Sequence, residues 1–304
     1  MDLYLPIAGV SVNALVIVAL GGLVGVLSGM FGIGGGFLTT PLLIFYGIPP
    51  AVAVASATTQ ITGASVSGVL AHTERGGVDF RMGGVLVAGG LVGTLLGAWA
   101  FSELQRSGQI DTAIGLLYVF LLGSIGTLMA REALASLGRL NLKPPAAPRT
   151  RRSWRWIHRL PLRWRFYKSG LFISPLAPLL LGAVSGVLTV LLGIGGGFIV
   201  VPAMIYLLGM TTRVVVGTSL VMILFVTAAT TIVHAVTTRS VDIVLAGLLL
   251  LGSVVGAQWG ARFAQKADPS RLRLALAILV LAVALRVLLG LTWRPDEIFT
   301  IQAL

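Results

Sequence analysis

The sequence predicts an all-α polytopic membrane protein made of two homologous halves, and three observations carry that reading. Of 304 residues, only 11% are charged and 56% are hydrophobic, with a mean hydropathy of +0.97. A soluble domain carries about 25% charged residues. The apolar residues form long uninterrupted stretches, most of them enough to cross about 30 Å of hydrocarbon at about 1.5 Å per residue. A glycine-rich hexapeptide also occurs twice, Gly32-Ile33-Gly34-Gly35-Gly36-Phe37 and Gly193-Ile194-Gly195-Gly196-Gly197-Phe198. Together these exclude a soluble enzyme, a disordered chain and a secreted disulfide scaffold. Cysteine is absent, so no disulfide, thiolate nucleophile or cysteine-ligated metal can form.

In chain order the hydrophobic stretches cover 7–31, 36–48, 51–71, 82–102 and 112–130, then 171–192, 197–209, 214–236, 241–261 and 272–292. Stretches 36–48 and 197–209 reach only about 20 Å and are expected to be short, broken helices, or re-entrant ones. The repeat extends well beyond the hexapeptide. Pro41 and Pro202 each follow the first glycine by 9 residues, and His72 and His234 follow it by 40 and 41. Asp79 and Asp242 follow at 47 and 49, and the pairs Gly93/Gly97 and Gly256/Gly260 keep the same order. The expected organisation is a first membrane repeat (1–131), a basic linker (132–169), a second repeat (170–294) and a C-terminal tail (295–304).

Charge sets the expected topology. The chain carries a net +12, and 11 of its 22 basic residues lie between Arg131 and Lys168. Basic loops stay cytoplasmic, so the linker is expected inside, as is the 262–273 loop with Arg262, Lys266, Arg271 and Arg273. The 72–81 loop, with Arg75 and Arg81, fits the same side. An odd number of crossings per half, with the N-terminus outside, satisfies these placements and inverts the second half against the first. Four crossings per half, with the short helices re-entrant, is the alternative. Met1–Pro6 lacks a basic region, so no cleavable signal peptide is expected. The linker alternates cations with aromatics, as in Arg151-Arg152-Ser153-Trp154-Arg155-Trp156, a pattern suited to anionic lipid at the membrane surface. Nucleic acid is not an expected partner.

All ten acidic residues lie at termini, in loops or at helix ends. Cation carriers usually keep a membrane-buried carboxylate, so the pattern favours a permeating anion. The glycine runs offer the complementary feature. Consecutive glycines let backbone turn sharply and approach a ligand, and a helix N-terminus presents free N–H groups and about half a positive charge. Gly34, Gly35 and Gly36, with Gly195, Gly196 and Gly197, are therefore candidate anion-binding positions; close helix packing is the alternative. Hydroxyl and amide groups downstream could donate to an oxyanion: Thr39, Thr58, Thr59 and Gln60 in the first half, Thr218 and Ser219 in the second. By offset, Thr58 corresponds to Ser219. His72 and His234 end matching helices, where a protonatable imidazole could couple proton movement to the anion; an interfacial role is the alternative. Asp79 and Asp242 read as helix N-caps, the glycine pairs as helix-packing positions, and Arg286 as a snorkelling side chain. No metal site, cofactor or catalytic centre is expected.

The run Leu27-Ser28-Gly29-Met30-Phe31-Gly32-Ile33-Gly34-Gly35-Gly36-Phe37 with Pro41 resembles the signature of the TauE/SafE family of sulfite-exporter-like permeases. Gly193–Phe198 with Pro202, followed by Val216-Gly217-Thr218-Ser219-Leu220, resembles that family's second repeat. The resemblance implies a secondary transporter, often an exporter, of a small sulfur-containing anion: sulfite, sulfoacetate or another organosulfonate. It implies the bacterial inner membrane as its location. Protons or Na⁺ are the candidate coupling ions, and a homo-oligomer is an open possibility. Ser56-Ala57-Thr58-Thr59-Gln60 differs from Gly217-Thr218-Ser219-Leu220-Val221, so the halves need not meet substrate alike. The rival reading is a non-transporting membrane docking or assembly subunit that uses the basic linker.

Overall fold

The computed structural model describes residues 2–31, 36–74, 76–136, 164–264 and 269–292. The first half runs β1 (Asp2–Leu5), β2 (Val10–Asn13), α1 (Ala14–Phe31), α2 (Gly36–Phe45), α3 (Pro50–Glu74), α4 (Phe80–Arg106) and α5 (Ile110–Ser136). The second runs β3 (Trp164–Phe166), β4 (Leu171–Ile173), α6 (Leu176–Leu192), α7 (Gly197–Tyr206), α8 (Thr212–Val233), α9 (Ile243–Ala264) and α10 (Pro269–Thr292). A π-helical turn, His234–Thr238, extends α8. Helix dominates, and five described helices are long and apolar enough to cross a membrane: α4, α5, α8 with its π turn, α9 and α10. Gly34, Gly35, most of the basic linker and the 295–304 tail lie outside the described residues.

The two small hairpins depart from the sequence reading, which placed 7–13 and 171–173 inside helical stretches. Leu5 pairs with Val10 and Phe166 with Leu171, and Gly9 and Gly170 close the turns at φ +66°. Alternation of buried and exposed residues, not helical periodicity, organises these segments. Leu5, Ala8 and Val12 pack on Ile48, Val52 and Leu245, and Phe166 and Ile173 pack on Met82, Leu86 and Met204. Each hairpin plugs one end of the bundle with apolar side chains.

Glycine contacts fix the helix directions. Gly21, Gly25 and Gly29 of α1 meet Leu249, Ser253 and Ala257 of α9 in the same order, so these helices run parallel. Gly89 and Gly93 of α4 meet Leu179 and Ala183 of α6, also parallel. A Cβ at Gly25 would stand 2.7 Å from the Ser253 Cα, so only glycine permits this spacing. Counterparts from the two halves run antiparallel: Thr59 and Thr62 of α3 reach Thr231 and Thr227 of α8, and Gly115 and Gly126 of α5 meet Leu291 and Leu281 of α10.

The fate of the short helices follows. α3 also runs parallel to α9, because Ser56 meets Asp242 while Gly63 meets Leu250. So α1 and α3 point the same way, and residues 32–49 must return between them. By the same logic α4 runs parallel to both α6 and α8, through Gly83 and Val221 and through Gly90 and Val226. Residues 193–211 therefore return between α6 and α8. Each short helix, of only 10 residues, lies on the returning path between two helices that point the same way.

Candidate functional site

Gly36, the last glycine of the first run, meets the second run inside the bundle. Phe37 and Phe198, each the second residue of its short helix, stack with ring centroids 4.3 Å apart and planes 8° from parallel. Both are buried. Gly36 abuts Ile61 of α3 and the Ile194 carbonyl: a Cβ there would stand 2.9 Å from Ile61 Cγ1 and 3.0 Å from Ile194 O. Ile61 also touches the Gly195 position, together with Thr227 and Ile223 of α8. The run in the second half is strained for any other residue, because Gly195 and Gly196 adopt φ +70° and +75°. Gly196 then caps α7, with its carbonyl accepting from Val200 N at 2.9 Å.

Uncharged polar groups surround this crossing. Thr39 Oγ1, Gln60 Oε1 and Ser185 Oγ are buried without hydrogen-bond partners, and the Thr40 hydroxyl lies beside the Tyr118 phenol. Thr40 and Ser185 flank the second glycine run, Thr40 beside Gly193 and Ser185 beside Gly196. Thr189, one turn after Ser185, lies against Gly196 too. Leaving a buried hydroxyl unpaired costs about 1–3 kcal/mol, and natural interiors rarely do so. Three such groups make this a place suited to something polar. Tyr118 of α5 closes the outer edge: its phenol donates to Leu192 O, at the end of α6.

The other predicted positions separate into distinct environments. Thr58 and Thr59 both bond the Ala55 carbonyl, at 2.8 and 3.0 Å, and Thr59 also reaches Thr231 across the α3–α8 seam. Thr218 and Ser219 sit in the N-terminal part of α8, away from the glycine runs. Thr218 Oγ1 accepts from Asp79 N at 3.0 Å, and Ser219 bonds Val216 O. The true equivalent of Thr218 is Ser56, which accepts from Asp242 N at 3.3 Å. The offset pairing of Thr58 with Ser219 is one step out of phase, because the loops after α2 and α7 differ in length. Asp79 and Asp242 cap α4 and α9 through their Oδ1 atoms. His72 is half-buried and contacts only its own helix, at Gly68 O. His234 is fully buried, with Nε2 3.1 Å from Val190 O and its ring edge-on to Phe101 at 4.7 Å. No cluster of three metal-ligating side chains occurs among the described residues.

Two cavities flank the short helices at equivalent positions. One, of about 550 Å³, lies between α5 and α7 and is lined by Met129, Glu132, Phe198, Pro202 and Tyr206. The other, of about 360 Å³, lies between α2, α5 and α10 and is lined by Pro41, Phe45, Asp111, Tyr118 and Arg286. Arg286 does not merely snorkel: its guanidinium lies 5.4 Å from the Phe45 ring centroid, in the cavity wall. Sequence reasoning missed Ser185 and Tyr118. Their signal was a polar residue among apolar neighbours, easily taken for helix packing.

Residues 17–287 match the family described as "Sulfite exporter TauE/SafE". The chain belongs to this family. It is similar to a probable membrane transporter protein, YjnA, of Bacillus subtilis (strain 168), with 29% identity covering 90% of this chain and 98% of the relative. A probable membrane transporter protein of Xylella fastidiosa (strain 9a5c) is 30% identical, covering 93% and 96%. No solved structure gives a significant match. TauE/SafE membership and the apolar spans make this a multi-pass membrane protein of a transporter family.

Proposed function

We propose that the chain is a secondary transporter of a small sulfur-containing anion, such as sulfite or an organosulfonate, and that the crossing of the two glycine runs holds the anion. The unpartnered hydroxyls of Thr39 and Ser185 carry this reading. They are donors without charge, and with the first-turn N–H groups of α2 and α7 they suit an oxyanion that must later be released. Gly34, Gly35, Gly36, Gly195, Gly196 and Gly197 supply the backbone. Thr58, Thr59 and Gln60 stand behind it on α3, and Thr218 and Ser219 brace the far end of α8. The cavity at Arg286 and Tyr118 is the mouth on one side.

The antiparallel counterparts α3/α8 and α5/α10 support an inverted repeat, in which rocking of the halves alternates access. The C-terminal ends of α3, α5 and α9 share one end of the bundle with the start of α4, and Arg81 and Arg262 there, with the basic linker sequence, favour the cytoplasm of a bacterial inner membrane. His234, buried at the end of α8, is the better placed of the two histidines for proton coupling.

Sulfite flux in proteoliposomes tests the reading through Ser185→Ala and Thr39→Val. Removing a hydroxyl that has no partner in the protein should leave folding stability unchanged or raised. It should weaken sulfite transport about tenfold per hydroxyl, the loss of roughly one hydrogen bond to a charged group. Full transport in the double variant would overturn the site.

A further inference from the structure

The second hairpin carries a feature that its counterpart lacks. Arg165 and Lys168 of the β3–β4 hairpin and Arg81 at the start of α4 converge on two exposed rings. Arg81 and Arg165 lie 5.5 and 5.7 Å from the Tyr167 centroid, and Lys168 lies 6.0 Å from that of Phe80. None of the three cations pairs with a carboxylate within 4.0 Å among the described residues. The nearest acid along the chain, Asp79, is committed inward, accepting from Ser169 and from the α4 backbone.

Below the cations runs a groove of about 960 Å³. Its walls are Val85, Ala88, Phe172, Pro175 and Leu179, with Trp164 at the rim. Gly84 forms part of the floor, and a Cβ there would meet nothing within 4 Å. So a cationic head region sits directly over an open apolar slot on the outer surface of the bundle. The equivalent hairpin, Asp2–Asn13, contains no Lys or Arg, and α9 opens with Ile243 and Val244 where α4 opens with Phe80 and Arg81.

We propose that this groove is a binding site for one anionic phospholipid, with the phosphate held by Arg81, Arg165 and Lys168 and an acyl chain lying along Gly84, Ala88 and Leu179. Charge complementarity selects the headgroup: cations without an acidic partner at a membrane interface attract acidic lipid. The open floor at Gly84 selects a chain-bearing ligand over a free phosphate. The aromatic rings fix the cations in place, so the headgroup meets a set geometry and not three mobile side chains.

The test is native mass spectrometry of the full chain in a phosphatidylglycerol–phosphatidylcholine mixture, reading retained lipid. The wild type should retain phosphatidylglycerol at least about tenfold over phosphatidylcholine. The triple variant R81Q/R165Q/K168Q should lose that preference. Gly84→Leu projects into the slot from a position where a Cβ meets nothing within 4 Å, and keeps every charge; it should lower retention several-fold. Neutralising Arg151, Arg152 and Arg155 in the linker should change little. The proposal is overturned if the triple variant keeps the preference, if only the linker variant abolishes it, or if soluble glycerophosphoglycerol displaces the lipid at equal concentration.

Discussion

Asp79 and Asp242 do the same work in the two halves and are completed differently. Each caps the helix after its long α3-type element through Oδ1, and each has its own N–H bonded to a hydroxyl of the other half. Asp79 Oδ2 then accepts from Ser169 N at 3.0 Å and Ser169 Oγ at 2.5 Å, which ties α4 to the second hairpin. Asp242 Oδ2 is buried with no partner. The equivalent of Ser169 in the first hairpin is Ala8, one residue before the turn glycine in both. The difference teaches that duplication fixed the backbone frame and left each half free to lose or gain its polar details.

The frame itself is the most sensitive part. Gly93 and Gly256 are equivalent, and each presses on the backbone of a parallel helix from the other half. A Cβ at Gly93 would stand 2.9 Å from Ala183 Cα, and one at Gly256 2.9 Å from the Gly22 carbonyl carbon. Backbone cannot move aside as a flexible side chain can, so Gly93→Val and Gly256→Val should each cost more than about 3 kcal/mol. The expected readout is loss of monodisperse protein after detergent extraction, to the same degree for both. One variant folding normally while the other fails would break the equivalence.

The histidines sharpen the contrast at lower cost. His234 reaches the Val190 carbonyl and packs on Phe101, whereas His72 contacts only its own turn. Replacing His234 by Leu strips a buried carbonyl of a partner and should cost about 2 kcal/mol. The matching change at His72 should stay within about 0.5 kcal/mol. Thermal melting of the two variants in the same detergent measures the difference. Equal shifts would mean that burial at His234 contributes nothing.

Much of this frame was legible in the sequence. Long apolar stretches and the doubled glycine run carried the helices and the repeat, because lipid demands both length and uniform apolarity. Asp79 and Asp242 read as caps from their position alone. Two things were not legible. Strands Val10–Asn13 and Leu171–Ile173 run straight into long apolar stretches, so hydropathy merged them into neighbouring helices. The polar site depends on which hydroxyls lack partners, and that is decided by packing: Thr58 and Ser185 look alike in sequence, yet one bonds a carbonyl and the other bonds nothing.

The smallest predicted effects concern the hairpin residues themselves. Ser169→Ala removes the side-chain donor to Asp79 Oδ2 while leaving the backbone donor, and should cost about 1–2 kcal/mol. Ala8→Ser is the reverse change in the other half. If the hairpins are equivalent, the new hydroxyl meets Asp242 Oδ2 and satisfies a buried carboxylate oxygen that now has nothing. The expected gain is about 0.5–1 kcal/mol, seen as a rise in melting temperature, and it should vanish in the Asp242→Ala background. A fall in stability would show that Asp242 Oδ2 faces something other than this turn, and the equivalence of the two hairpins would end at their backbones.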